Sequence, residues 1–203
     1  ILPQESMSGC VSEEYDFLGK SGRKETYKKI VEDFRMRTNG YITTLPRGEV
    51  SLCSILDVGC GSGLLTLELA EQISNVKVIG LDISEDMIKL ARDNLVNQAQ
   101  EEVERIKQFW GKLPGYHKPS KDNYKRLEQS PPLFDRVTFH EGSVYELQDK
   151  YMHGGDYVIC RNALHRFQDP VNALNQMYQT LSSNGKMYIR DLRRDADWKV
   201  VLE

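Results

Sequence analysis

The sequence predicts an α/β fold: a doubly wound, mostly parallel sheet with helices on both faces. Three observations carry that expectation. Short apolar runs and helix-period stretches alternate twice between residues 54 and 97. A glycine-rich turn, Gly59-Cys60-Gly61-Ser62-Gly63, stands at the first strand-to-helix junction. The alternation then resumes at residue 137 and continues to residue 190. Strand, helix, strand, helix in close succession is the rhythm of a parallel sheet whose crossovers place helices on its faces.

The elements follow in order. Residues 11–39 read as helical, because Tyr15, Phe17, Leu18, Tyr27, Ile30, Val31 and Phe34 recur at helical spacings among Lys and Arg, with Gly40 as a stop. Ser54-Ile55-Leu56-Asp57-Val58 is the first strand, and Leu65, Leu69 and Ile73 step by four along one face of the helix behind the glycine turn. Residues 76–82 are the second strand; Ser84 caps the next helix, and Glu85 and Asp86 suit its positive end. That helix loses its apolar rhythm after Leu95. Residues 99–136 are polar, carry Pro114, Pro119, Pro131 and Pro132, and read as an insertion whose aromatics, Trp110 among them, either line a substrate lid or pack within it. Strands follow at 137–140 and 156–160. Asp169-Pro170 opens a helix as N-cap and first residue, with a buried stripe of Val171, Leu174, Met177, Tyr178 and Leu181 and an end at Asn184-Gly185. Residues 186–190 are the fifth strand. The chain is thus read as a single domain, with an N-terminal helical segment over 1–50, a core over 51–98 and 137–203, and the insertion over 99–136.

Composition narrows the function classes. Of 203 residues 39% are hydrophobic and 28% charged, with a net charge of −3, so no global positive field exists to hold a nucleic acid. No apolar run reaches the roughly 18–20 residues that span a bilayer. Cys10, Cys53, Cys60 and Cys160 form no C-x-x-C pair and read as reduced thiols, which predicts a cytoplasmic protein. His117, His140 and His153 lack ligand spacing, so no metal site is expected.

The glycine turn is where chemistry is predicted. Such a turn brings backbone N–H groups close to a ligand at the positive end of a helix, a device that dinucleotide sites share. Asp57, two residues before the first glycine, would repel a pyrophosphate but suits a ligand carrying an ammonium and a sulfonium. Leu64 stands where the dinucleotide pattern wants a small residue. Asp82, at the tip of the second strand, is placed to accept both hydroxyls of a ribose and fits either cofactor. A nicotinamide-dependent oxidoreductase is therefore disfavoured.

Ile55-Leu56-Asp57-Val58-Gly59-Cys60-Gly61-Ser62-Gly63, followed by Gly80-Leu81-Asp82-Ile83-Ser84 and Met87, resembles the class I S-adenosylmethionine-dependent methyltransferases, most closely the ubiquinone and menaquinone biosynthesis branch. The resemblance extends over residues 50–97 and 137–195. It implies a Rossmann-like sheet of seven strands, with S-adenosylmethionine across the carboxyl ends of the first, second and fourth. By the same resemblance Asp57, Gly59, Gly61 and Gly63 surround the methionine half, Asp82 holds the ribose, and Ile83 and Met87 flank the adenine. Gly142, Ser143 and Val144 match the segment that reads the adenine edge, although Ser143 stands where relatives commonly carry an acid. Asn162 matches a position lining the methyl-transfer cleft, and Tyr15-Asp16 resembles a pair in an N-terminal lid.

His165 has two readings, a general base for methyl transfer or a residue that orients its loop. Cys160 reads as a buried strand thiol. Arg161-Asn162-Ala163-Leu164 stands where base-methylating enzymes carry an Asn-Pro-Pro-Tyr type of motif, which argues against a nucleic-acid substrate. Arg190, Arg193 and Arg194 either bind an acidic group or pair with Asp191, Asp195 and Asp197. The function expected is methyl transfer to a small-molecule acceptor by in-line attack on the sulfonium methyl; the alternative is a non-catalytic, cofactor-binding subunit that supports a partner. The core reaches only a fifth strand, so the sixth and seventh strands are expected to be missing, with further residues or a partner at the fifth-strand edge.

Overall fold

The computed structural model describes residues 24–38, 53–73, 75–112, 132–147, 151 and 155–191. Its elements are α1 (Lys24–Arg37), β1 (Cys53–Val58), α2 (Leu64–Gln72), β2 (Val76–Asp82), α3 (Glu85–Lys112), β3 (Val137–Glu141), β4 (Gly155–Arg161), α4 (Pro170–Gln179) and β5 (Leu181–Arg190). Short 3-10 turns cover Pro132–Asp135, Val144–Glu146 and Leu164–Arg166.

The strands form one sheet in the order β3-β2-β1-β4-β5, every pairing parallel. Covered on both faces, the central strands are buried at successive positions rather than alternating, as Ile55, Leu56, Asp57 and Val58 show. One face holds α1, α2 and α3 against Ile55, Val78, Phe139, Tyr157 and Ile159. The other holds α4 and the 144–146 turn against Leu56, Val58, Leu81, Val158 and Cys160. Within α1, Tyr27, Ile30, Val31 and Phe34 make the buried stripe. The Phe34 ring meets Tyr157 and Tyr188 edge-on at 5.3 and 5.8 Å, which docks the helix over β4 and β5. The strand order reverses between β1 and β4, and in open parallel sheets the crevice beyond such a switch point is where ligands bind.

Three elements differ from the sequence reading. First, α3 does not stop near residue 98 but runs through Lys112, because Ala99 and Val103 remain buried within a stretch that otherwise looks polar. At 1.5 Å per residue its 28 residues extend about 42 Å, against about 23 Å for the seven residues of β2. The helix starts at the carboxyl edge of the sheet and passes the amino edge, where Glu102 accepts a 3.2 Å hydrogen bond from the Leu133 N–H just before β3. Nearby, the Arg136 guanidinium donates to the Ala70 and Ile73 carbonyls at 2.6 and 3.2 Å, closing the end of α2.

Second, α4 ends at Gln179 rather than at Asn184-Gly185. The Thr180 hydroxyl donates to the Met177 carbonyl at 2.7 Å, and Ser182, Ser183 and Asn184 are weak helix formers. β5 therefore begins at Leu181, with a register irregularity between the pairs Gly155–Leu181 and Tyr157–Lys186. Third, the α4 stripe is narrower than expected: Ala173 and Met177 are buried, but Val171 and Tyr178 are 67% and 65% exposed on the flank. β5 is the last strand among the described residues, and its outer edge pairs with none of them. Among those residues no helix is long and apolar enough to cross a membrane.

Candidate functional site

The glycine turn after β1 adopts left-handed backbone at Gly59 (φ 74°), Gly61 (φ 55°) and Gly63 (φ 78°). Space also demands glycine: a Cβ on Gly59 would lie 2.4 Å from the Ala163 Cβ, and one on Gly63 2.5 Å from the Phe139 ring. The turn is thereby clamped between the loop after β4 and strand β3.

Its amides are used differently from the expectation. The Gly59 and Cys60 N–H groups donate to the Leu81 carbonyl at 2.8 and 3.0 Å, the Gly63 N–H to the Cys60 carbonyl at 3.0 Å, and the Gly61 N–H to Asp82 Oδ2 at 2.9 Å. These four N–H groups face the protein rather than a ligand. The reason is register: Val58 pairs with Leu81, so the chain leaving β1 folds directly over the end of β2. The result is a brace that holds the Asp82 carboxylate, whose other oxygen accepts the Ser84 N–H at 2.9 Å. Burial raises the Asp82 pKa above the ordinary carboxylate value, opposed chiefly by those backbone donors and by Arg166.

Asp57 is 1% exposed at the end of β1. Its Oδ2 accepts the Thr66 hydroxyl of α2 at 2.6 Å. Burial pushes its pKa up to about 6, opposed by the Thr66 bond and the Arg161 charge and reinforced by Asp82. A buried carboxylate in this condition is suited to a cationic group arriving with a ligand.

A cleft opens over these groups at the carboxyl edge. On the β2 and β3 side its lining includes Asp82, Ile83, Met87, Gly142 and Val144; at β1 it includes Asp57, Gly59 and Gly61. On the β4 side it includes Tyr27, Arg161, Asn162 and Arg166. Gly63 and Ser143 lie outside that lining. Gly63 is packed against Phe139, and Ser143 caps the 144–146 turn by accepting the Tyr145 N–H at 3.2 Å. Asn162 holds a left-handed φ of 51° and donates its N–H to the Arg190 carbonyl at 3.0 Å. Tyr15 and Asp16, with Arg193, Arg194, Asp195 and Asp197, fall outside the described residues.

His165 is not part of the cleft lining. Its Nδ1 sits 2.6 Å from Asp191 Oδ1, and its backbone N–H donates to Asp191 Oδ2 at 3.3 Å. Asp191, expected among the arginines, instead grips His165 from the residue that follows β5. A carboxylate on one ring nitrogen fixes the orientation of an imidazole and favours presentation of the other nitrogen. Tyr27 and Arg161 were also missed. The Arg161 guanidinium lies 4.9 Å above the Tyr27 ring, a stacked pair that joins α1 to β4 at the rim of the cleft. Tyr27 signalled only helical periodicity, and Arg161 only its position before Asn162. Cys160 is fully buried, and burial pushes its thiol up to about 12, which leaves it inert. Among the described residues no group of three or more His, Cys, Asp or Glu is placed to hold a metal ion.

The arrangement can bind an extended ligand with a cationic group at β1, vicinal hydroxyls at Asp82 and a flat apolar ring beside Ile83, Met87 and Val144. A family model described as a methyltransferase domain matches residues 15–203. The demethylmenaquinone methyltransferase of Lactococcus lactis is 41% identical over 58 residues, covering 28% of this chain and 23% of that protein. The ubiquinone biosynthesis O-methyltransferase of Nitrosospira multiformis is 22% identical over 141 residues, covering 70% of this chain and 44% of that protein. The chain thus spans less than half the length of these relatives. The plantazolicin methyltransferase BpumL, solved with SAH, shares the fold with a TM-score of 0.57 at 19% identity, over 90% of this chain and 53% of that one.

Proposed function

Because the chain belongs to the methyltransferase-domain family, we propose that its cleft binds S-adenosylmethionine and that it transfers the methyl group to a small-molecule acceptor. The observation that carries this reading is the pair of carboxylates at the carboxyl ends of adjacent strands, buried Asp57 on β1 and half-buried Asp82 on β2. They fit the two ends of that cofactor. Asp57 answers the ammonium of the methionine half, and Asp82, held by the Gly61 and Ser84 amides, keeps lone pairs for the ribose hydroxyls. Ile83 and Met87 supply the apolar wall for the adenine. The same geometry disfavours a dinucleotide, since the Gly59, Cys60, Gly61 and Gly63 amides that would cradle a pyrophosphate are engaged within the protein.

The bound cofactor supplies a methyl group on a positively charged sulfur, already activated for displacement. The work left to the protein is alignment, which can supply up to about 7–11 kcal/mol. Gly59 and Ala163 fix the β1 turn against the β4 loop, and Asn162 ties that loop to β5. His165 lies outside the cleft lining, and its bonds to Asp191 tie the 164–166 turn to the end of β5, which favours the loop-orienting one of its two readings. The two relatives described above carry the names of small-molecule reactions, whereas others are named for a release factor, a tRNA and ribosomal protein L11; the small-molecule reading follows the first group. Cys53, Cys60 and Cys160 are free thiols, as a cytoplasmic setting favours.

Calorimetry with S-adenosylhomocysteine tests the reading. Asp82→Ala is expected to weaken its affinity by about 10- to 100-fold, the worth of hydrogen bonds to a charged group, while NAD shows no heat. An unchanged affinity in that variant would overturn the cofactor placement.

A further inference from the structure

This inference rests on the cofactor reading above and concerns the group of the methionine half that Asp57 leaves unmet. An α-amino acid carries its ammonium and its carboxylate on one carbon. With the ammonium at Asp57, a donor for the carboxylate has to stand beside Asp57. The glycine turn offers none, because the Gly59, Cys60, Gly61 and Gly63 N–H groups are engaged by Leu81, Cys60 and Asp82.

Among the described residues the charged side chains of the cleft lining are two acids, Asp57 and Asp82, and two arginines, Arg161 and Arg166. They divide by position. Asp57 pairs with Ile159 across β1 and β4, and Arg161 follows Ile159 by one strand period, so Asp57 and Arg161 are diagonal neighbours on one face of the sheet. Two independent contacts fix that face: the Asp57 carboxylate meets Thr66 of α2, and the Arg161 guanidinium meets Tyr27 of α1. Arg166 belongs to the ribose end. It stands on the 164–166 turn, and its charge acts on Asp82, whereas the Arg161 charge acts on Asp57.

The Arg161 guanidinium is also available. Among the described residues it makes no hydrogen bond and no close ion pair; what holds it is the Tyr27 ring, whose centroid lies 4.9 Å from its central carbon. Stacking occupies the flat face of a guanidinium and leaves the N–H donors at its edge, which match the two oxygens of a carboxylate. Asp57 and Arg161 thus stand as the complement of an amino acid's ammonium and carboxylate.

We propose that Arg161, positioned by the Tyr27 stack, receives the α-carboxylate of the bound cofactor, so that the cleft selects a zwitterionic methyl donor over a decarboxylated one. The competing receptor is the start of α2, where Leu64 and Leu65 line the same cleft and the N–H groups carry the partial charge of a helix N-terminus.

Calorimetry at pH 8, where Asp57 is ionised, separates the two. The probes are S-adenosylhomocysteine and its decarboxylated analogue, which keeps the ammonium and the adenosine and lacks only the carboxylate. The unaltered protein is expected to bind S-adenosylhomocysteine about 10- to 100-fold tighter than the analogue, the worth of hydrogen bonds to a charged group. Arg161→Gln should weaken S-adenosylhomocysteine by about the same 10- to 100-fold, while the cationic analogue, relieved of the arginine charge, binds as well or better. A preference for S-adenosylhomocysteine that survives in Arg161→Gln overturns the proposal, whether both affinities fall alike, as loss of a fold support would produce, or neither moves, as a carboxylate held by α2 would produce. Equal binding of the two probes by the unaltered protein overturns it as well. Arg166→Gln should keep the preference within twofold, and its disappearance there would assign the carboxylate to Arg166 instead. Where Arg161→Gln does not fold, Arg161→Met, which keeps a side chain of similar length against Tyr27 without the charge, takes its place with the same expectations. Failure of the unaltered protein to bind either probe would strike the cofactor reading itself, so the two failures are distinguishable.

Discussion

Asp57 binds its proton more tightly in the folded chain than in the unfolded one, with a pKa of about 6 against a usual 3.8. Folding therefore takes up a proton between about pH 4 and pH 6, and stability falls as pH rises through that window, then levels off. Asp57→Asn removes the effect. The variant's unfolding free energy without ligand, measured by denaturant titration, is expected to gain on the parent above pH 6, by up to about 3 kcal/mol, and not at pH 4. Ligand binding runs the other way: affinity for S-adenosylhomocysteine should weaken as pH drops below 6, where Asp57 becomes neutral, and calorimetry over pH 5 to 8 would show it. Asp57 and Asp82 were legible because each sits at a fixed offset from a strand end and a glycine. Tyr27, Arg161 and Asp191 were not, because each acquires its role from a partner far away in the chain, Arg161 on Tyr27 and Asp191 on His165. Local spacing carries no trace of such pairings.

At the scale of elements, the β1 turn and the loop after β4 form one mechanical unit. Gly59→Ala must both hold a left-handed φ and displace Ala163, so it is expected to lower stability by about 1–3 kcal/mol and to reduce S-adenosylhomocysteine affinity, as denaturant titration and calorimetry would measure. α1 belongs to the core rather than to a detachable arm: Phe34→Ala, which empties a fully buried site against Tyr157 and Tyr188, should cost about 3–5 kcal/mol. Strand positions were readable because buried parallel strands are continuous apolar runs. Helix ends were harder. α3 hides its last turns behind the small Ala99, and α4 yields to β5 where the Thr180 side chain closes the helix, a local bond that apolar periodicity does not report.

For the molecule as a whole, fold class and strand sequence were legible in the alternation of elements, whereas the order β3-β2-β1-β4-β5 is a property of packing; the resemblance implied only that the cofactor lies across the ends of the first, second and fourth strands. Trp110, read as lid or packing, lies in the last turn of α3, at the end remote from the cleft. Both anchors of the segment 113–131, the end of α3 and the turn at Pro132–Asp135, stand at the amino edge of the sheet. Replacing residues 114–130 by a short Gly-Ser linker is therefore expected to leave S-adenosylhomocysteine affinity within twofold; a larger loss by calorimetry would show that the segment contributes to the cleft. The long α3 thus gives the protein two poles about 42 Å apart, the candidate cleft at one and the anchors of the segment 113–131 at the other. If the linker variant keeps its affinity, length and sequence at the second pole are uncoupled from the first.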